Sequence, residues 1–167
     1  RYRVIRLDLS GAGLTGPDPT LGYGIERNLE LVQGLLAHLE LTNVSLVGTS
    51  SGGIVAFRYA ALNPEQVARL VLINSAGMPR TAATNPLRPQ STGLTAWVEA
   101  RLRSRRFWAE SLRDNFVPPH EPSAELVTMT YDMNRRAGGR EISALYMKNF
   151  RTGDPQQMLG NVRAPTL

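Results

Sequence analysis

The chain has 167 residues, of which 42% are apolar and 20% charged, enough for one globular domain with a sizeable core. It contains no Cys, which excludes disulfide scaffolds, thiolate metal sites and Cys nucleophiles, and its two His (His38 and His120) argue against a His-rich metal site. The net charge of +5 is uneven: residues 80–151 carry 12 Lys and Arg against 7 Asp and Glu, while the rest of the chain balances at 7 and 7. Composition alone therefore marks that stretch as a separate region. No run of 18 apolar residues suggests a membrane span, and no segment reads as a signal peptide. Arg1 leads directly into an apolar stretch and Leu167 follows closely on Pro165, so both ends read as cuts through a longer protein.

In chain order, Val4 to Leu9 is an apolar-rich run ending at Ser10-Gly11 and reads as a strand. A Gly- and Pro-rich loop follows, up to Gly24. Ile25, Leu29, Val32, Leu36 and Leu39 then recur at spacings of four and three, one face of a helix with Gly24 at its N-cap. Val44 to Val47 reads as a second strand ended by Gly48. Gly52 to Leu62 reads as a second helix, with Pro64 just past its end. Leu70 to Ile73 is a continuous apolar run, the pattern of a strand buried on both faces. Strand, helix, strand, helix and strand with short links predict a parallel sheet with right-handed crossovers, an α/β fold. From about Pro79 the pattern changes. A Pro-, Thr- and Asn-rich linker (79–92) precedes helical stretches without strands: Leu94, Trp97, Val98 and Leu102 on one face, then Leu126, Met129 and Met133 behind a capping Ser123, then Ile142, Leu145 and Tyr146. Trp97, Phe107, Trp108 and Met129 read as the core of this helical region. The predicted division is 1–78 core, 79–158 helical insertion and 159–167 approach to another core strand.

The segment Gly48-Thr49-Ser50-Ser51-Gly52 has the pattern Gly-x-Ser-x-Gly, and its context suits a nucleophile elbow: a strand before it and a helix after it. Such a turn forces the central residue into a strained backbone conformation, and side chains two residues to either side would collide. That requires Gly at 48 and 52. The helix start then points free N–H groups and its positive dipole end at the reacting centre, with the Ser51 N–H placed to stabilise an oxyanion. Ser51 as the nucleophile would put Thr49 in a glycine position, so Ser50 is preferred. The other readings are a plain strand-to-helix turn or a phosphate-binding loop; the second fails for want of a Lys or a Gly-x-Gly-x-x-Gly.

Four stretches together resemble the α/β-hydrolase superfamily, in its capped branch of serine esterases and carbon–carbon-bond hydrolases. They are the strand ending Asp8-Leu-Ser-Gly-Ala-Gly13, the elbow Leu46 to Gly53, the link Asn63 to Ile73, and Asn161-Val-Arg-Ala-Pro-Thr-Leu167. The resemblance implies a partial α/β-hydrolase core, a helical cap at 79–158, and a small-molecule substrate with an ester-like or carbon–carbon carbonyl. It implies no cofactor and no metal. It also implies that the triad acid and His follow Leu167, since the family's order is Ser, acid, His, and that a strand lies between those at Val4–Leu9 and Val44–Val47 which no stretch here supplies. A catalytically inactive hydrolase-like segment is the alternative. Asn74 stands where some relatives place their acid, but an amide cannot serve as that carboxylate. His120 and His38 read as solvated residues, Asp8 as a structural residue bonding the backbone near Gly11–Gly13, and Asp114, Asp132 and Asp154 as surface charges. Arg101, Arg103, Arg105, Arg106, Arg135, Arg136 and Arg140 make the cap basic. This reads first as a solvated face, and otherwise as attraction for an acidic substrate or an anionic membrane. Nucleic-acid binding is not expected, since no binding motif accompanies the charge.

Overall fold

The computed structural model describes residues 2–18, 20, 22–77, 98, 102–139, 142, 145, 146, 149 and 154–167. The linker at 79–92 and the predicted helix positions Leu94 and Trp97 lie outside them, as do Arg101 and Arg140. The chain divides into two compact units, one of residues 1–85 with 145–167 and one of residues 86–144.

The first unit is built around a βαβ turn of parallel sheet. Helix α1 (Ile25–His38) leads to strand β1 (Val44–Thr49), helix α2 (Ser51–Leu62) and strand β2 (Val67–Ile73). The β-branched residues Val44, Val47, Val67, Val71 and Ile73 suit the pleated strands. The strands pair in parallel from Val44↔Val67 to Thr49↔Ile73, with an irregularity between Val44 and Ser45. Strand β1 thus runs through Gly48, and β2 starts three residues before its predicted limit. On the other side of β2, Thr166 bridges Leu70 in parallel; the Leu70 N–H donates to Pro165 O at 3.0 Å and the Leu167 N–H to Leu70 O at 3.0 Å. The expected approach to a further core strand is therefore present at 165–167.

Helix α2 is apolar on nearly every side, which is the signature of a helix enclosed by its neighbours. Ile54, Val55, Ala56, Phe57, Tyr59 and Ala60 are all buried, and α2 packs on α1, both strands and the short helix α5 (Pro155–Gly160). Burial of Tyr59 raises the pKa of its phenol, and its hydroxyl donates to Gln66 Oε1 at 2.6 Å. Helix α1 turns Ile25 and Leu36 inward, as predicted, together with a residue the apolar pattern omits. Asn28 is fully buried, accepting from the Ser10 N–H at 2.8 Å and donating to Gly24 O at 3.1 Å. A buried amide is tolerated when it is bonded in this way, and here it ties the loop before α1 to the helix. The Asp154 side chain caps α5, accepting from Gln156 N at 3.0 Å and Gln157 N at 3.3 Å, so it is more than the surface charge expected.

The predicted strand at Val4–Leu9 does not form. Tyr2 and Val4 are about four-fifths exposed, and no ladder partner reaches the segment among the described residues. A strand exists only with a partner to take its backbone hydrogen bonds. The expectation for Asp8 holds with a shift of one residue: its carboxylate accepts from the Leu14 N–H at 2.8 Å, and its carbonyl from the Thr15 hydroxyl.

In the second unit, helix α3 (Arg105–Arg113) packs against α4 (Ala124–Asn134). Ser104 and Ser123 cap them, accepting from Phe107 N at 3.2 Å and Leu126 N at 3.1 Å. The Ser123 cap was expected; α3 was not. Neither helix contains a buried residue, which corrects the reading of Phe107 and Met129 as core. Both are exposed, and the Phe107 ring meets an edge-on Trp108 at 5.2 Å and the Arg103 guanidinium at 5.2 Å. Part of the arginine excess is neutralised locally, by Arg106–Glu110 at 2.9 Å and Arg113–Glu121 at 2.6 Å. No helix among the described residues is long and apolar enough to cross a membrane.

Candidate active site

Ser50 stands at the junction of β1 and α2 with φ 48° and ψ −119°. That positive φ is unfavourable for a residue with a Cβ and persists only where the surroundings over-determine it, at a cost of about 1–3 kcal/mol. The surroundings here are hydrogen bonds to Ser50's own backbone. Its N–H donates to Ile73 O at 3.1 Å, and its carbonyl accepts from Gly53 N at 3.0 Å and Ala76 N at 2.9 Å. The residue is exposed, so its hydroxyl is presented outward at the carboxyl end of a parallel strand, the edge at which open α/β sheets bind ligands.

Ser51 is the first residue of α2. Its N–H is one of the first-turn donors that find no acceptor within the helix, at the positive end of the helix dipole. Among the described residues no acceptor meets it. Beside the Ser50 hydroxyl this donor is suited to an oxygen that gains negative charge.

The flanking glycines divide in a way the motif does not reveal. A Cβ on Gly48 would lie 2.5 Å from Gly52 O and 2.7 Å from Gly53 Cα, both backbone atoms that cannot rotate away. A Cβ at position 48 therefore requires the start of α2 to move away from β1. A Cβ on Gly52 would meet nothing within 4 Å, which corrects the expectation that Gly52 must be small: at its place in the first turn of α2 the Cβ direction faces open space. The glycine under steric demand on the helix side is Gly53, where a Cβ would lie 2.3 Å from Ser75 Oγ and 3.0 Å from Ser75 Cα. The only hint of this in the sequence is the doubled Gly52-Gly53.

Neither His is hydrogen-bonded to Ser50. His38 is exposed in the last turn of α1. His120 is exposed in the second unit, its N–H donating to Val117 O at 3.0 Å. Asn74 follows β2 with φ 46°, a left-handed conformation that Asn tolerates better than most residues. Among the described residues, the carboxyl displaced from its ordinary range, Asp18, belongs to a structural network. Asp18 is held at about 2, first by the Thr20 hydroxyl at 2.6 Å and then by the Arg27 guanidinium at 2.5 Å. No group of three or more metal-ligating side chains occurs among the described residues.

A model of the family described as alpha/beta hydrolase fold matches residues 1–164. A 2-hydroxy-6-oxo-2,4-heptadienoate hydrolase of Pseudomonas putida is 40% identical over 76 residues, which are 46% of this chain and 28% of that protein. A probable hydrolytic enzyme from Pseudomonas aeruginosa superposes with a TM-score of 0.69 at 28% identity, over 95% of this chain and 52% of its own. An esterase from Exiguobacterium antarcticum superposes with a TM-score of 0.66 at 22% identity, over 95% of this chain and 59% of its own, and that likeness is one of fold. The chain thus spans a little over half the length of those two structures.

Proposed function

The chain belongs to the α/β-hydrolase fold family, and from that premise we propose that it carries the nucleophile of a serine hydrolase, with Ser50 attacking an ester-like or carbon–carbon-linked carbonyl of a small molecule. The observation that carries this reading is the backbone of Ser50. A serine held at φ 48° between a parallel strand and a helix N-terminus, with its side chain exposed, has no packing reason for its strain. In the proposed reaction the Ser50 Oγ adds to the carbonyl carbon, and the oxyanion accepts a hydrogen bond from the Ser51 N–H. Collapse expels the leaving group and leaves an acyl-enzyme, which water then hydrolyses. The general base and the acid that orients it come, on this reading, from residues after Leu167, following the family's order of Ser, acid and His. Both carbonyl classes occur among the similar proteins: the Pseudomonas putida relative is a dienoate hydrolase and the Exiguobacterium neighbour an esterase.

The test is labelling of the full-length protein by a fluorophosphonate probe, with and without Ser50→Ala. The expected outcome is labelling that the substitution abolishes. Labelling that persists in Ser50→Ala removes the assignment. A folded protein that never labels favours the alternative of a non-catalytic hydrolase-like protein.

A further inference from the structure

Strand β1 ends at Thr49, yet its hydrogen-bond ladder with β2 continues for one more residue in an irregular form. In a regular parallel ladder a residue's N–H and C=O bond to two residues of the neighbour that are two apart. Leu70 does this, donating to Pro165 O and accepting from Leu167 N. Ser50 instead donates to Ile73 O and accepts from Ala76 N, residues three apart. One extra residue has entered the segment leaving β2, at the point where Asn74 adopts φ 46°. This is the geometry of a bulge, which bends a chain and re-aims what it pairs with. The bulge also lies directly against α2, since Ser75 Cα comes so close to Gly53 that a Cβ there would stand 3.0 Å from it.

We infer that this bulge, through the Ala76 N–H, is the positioning element that holds Ser50 in its strained conformation, an inference that rests on reading Ser50 as the nucleophile. The physical reason is the number of constraints. Of the three backbone hydrogen bonds on Ser50, that from Gly53 is local to the first turn of α2, and a relaxed turn retains such a bond. The other two come from residues 73 and 76, more than twenty positions away in sequence, and they grip the residue from both ends of its backbone. Without the Ala76 donor, the Ser50 carbonyl keeps only the local Gly53 N–H, which moves with the first turn of α2, and the φ/ψ strain relaxes. The hydroxyl and the Ser51 N–H then lose their common aim at one carbonyl. Ala76 touches no reacting atom on this reading; it acts through Ser50.

The experiment replaces the Ala76 amide by the lactic-acid ester in the full-length protein, which deletes the N–H and keeps the methyl side chain. Inactivation by a fluorophosphonate is followed as a function of probe concentration. The expected result is a maximal inactivation rate lowered about tenfold, the scale on which loss of one hydrogen bond at a reacting centre is felt, with the half-saturating probe concentration unchanged. General loosening of the fold would move both. A rate within twofold of the unaltered protein overturns the inference. Should the ester protein fail to fold, hydrogen exchange of the unaltered protein decides. An Ala76 amide protected before and after acylation supports the inference, and one exchanging like an open loop amide overturns it. A protein whose Ser50 never reacts defeats the nucleophile reading by itself, and exchange of the Ala76 amide in the unacylated protein still decides whether that N–H is bonded to Ser50.

Discussion

Replacing Gly48 by Ala and, separately, Gly52 by Ala distinguishes the geometry of the elbow from its motif. The motif treats the two glycines alike. In the structure, the Gly48→Ala methyl meets Gly52 O at 2.5 Å, Gly53 Cα at 2.7 Å and Gly52 C at 2.8 Å, three backbone atoms of the helix start. Ordinary carbon contacts lie near 3.5–4.0 Å, so α2 must retreat from β1 by about 1 Å. Overpacking of this kind costs about 1–3 kcal/mol, and the value expected is the upper end, about 3 kcal/mol, because no side-chain rotation relieves it. At about 2–4 °C per kcal/mol, the melting temperature of the full-length protein falls by about 6–12 °C. The same retreat displaces Ser50, so fluorophosphonate labelling is lost. Gly52→Ala meets nothing within 4 Å and exchanges a flexible residue for a better helix former, a gain of about 0.5–1 kcal/mol, with labelling retained. Thermal melts and labelling of the two variants side by side are the assay. Equal destabilisation by both, or a larger loss from Gly52→Ala, refutes the reasoning.

Three further outcomes are expected. Phe57 is fully buried at the centre of α2, so Phe57→Ala lowers stability by about 3–5 kcal/mol in chemical denaturation; a loss below 1 kcal/mol would show that α2 is not the centre of the core. The Asp18 carboxyl is held at about 2, below its ordinary 3.8. Its depressed pKa means that its stabilising contribution is complete above the unfolded value and is lost as pH falls through about 2. The melting temperatures of the unaltered protein and Asp18→Asn should therefore differ at pH 6 and converge between pH 4 and pH 2; a constant difference over that range contradicts the network described. Ser123→Ala removes the side-chain acceptor of the Leu126 N–H and is expected to cost the second unit about 0.5–2 kcal/mol, read as increased amide exchange in the first turn of α4. Exchange unchanged there counts against the cap.

What the sequence determined by itself is local. The period of α1, the strand at Val44–Val47, the Gly24 and Ser123 caps, and the strand–turn–helix context that singles out Ser50 all depend on residues within a few positions of one another, and the structure carries each of them. Tertiary structure decided everything that depends on a partner distant along the chain. Val4–Leu9 has a strand's composition and, among the described residues, no ladder, because strand-forming residues make a strand only beside another. Asn28 is buried although it interrupts an apolar face, because Ser10 and Gly24 satisfy its amide. Helix α3 does carry an apolar face, with Trp108, Ala109 and Leu112 half-buried on one side, but over nine residues that face is too short to stand out from the surrounding arginines; a Ser104 cap and the Arg106–Glu110 pair accompany it. At the site, the same reason separates Gly48 and Gly53 from Gly52. A Cβ is a clash only where another segment lies, and the direction in which each glycine faces follows from how α2 settles on β1 and on the segment leaving β2. The motif named the serine; the register of two parallel strands, with one extra residue at Asn74, set which backbone groups hold it.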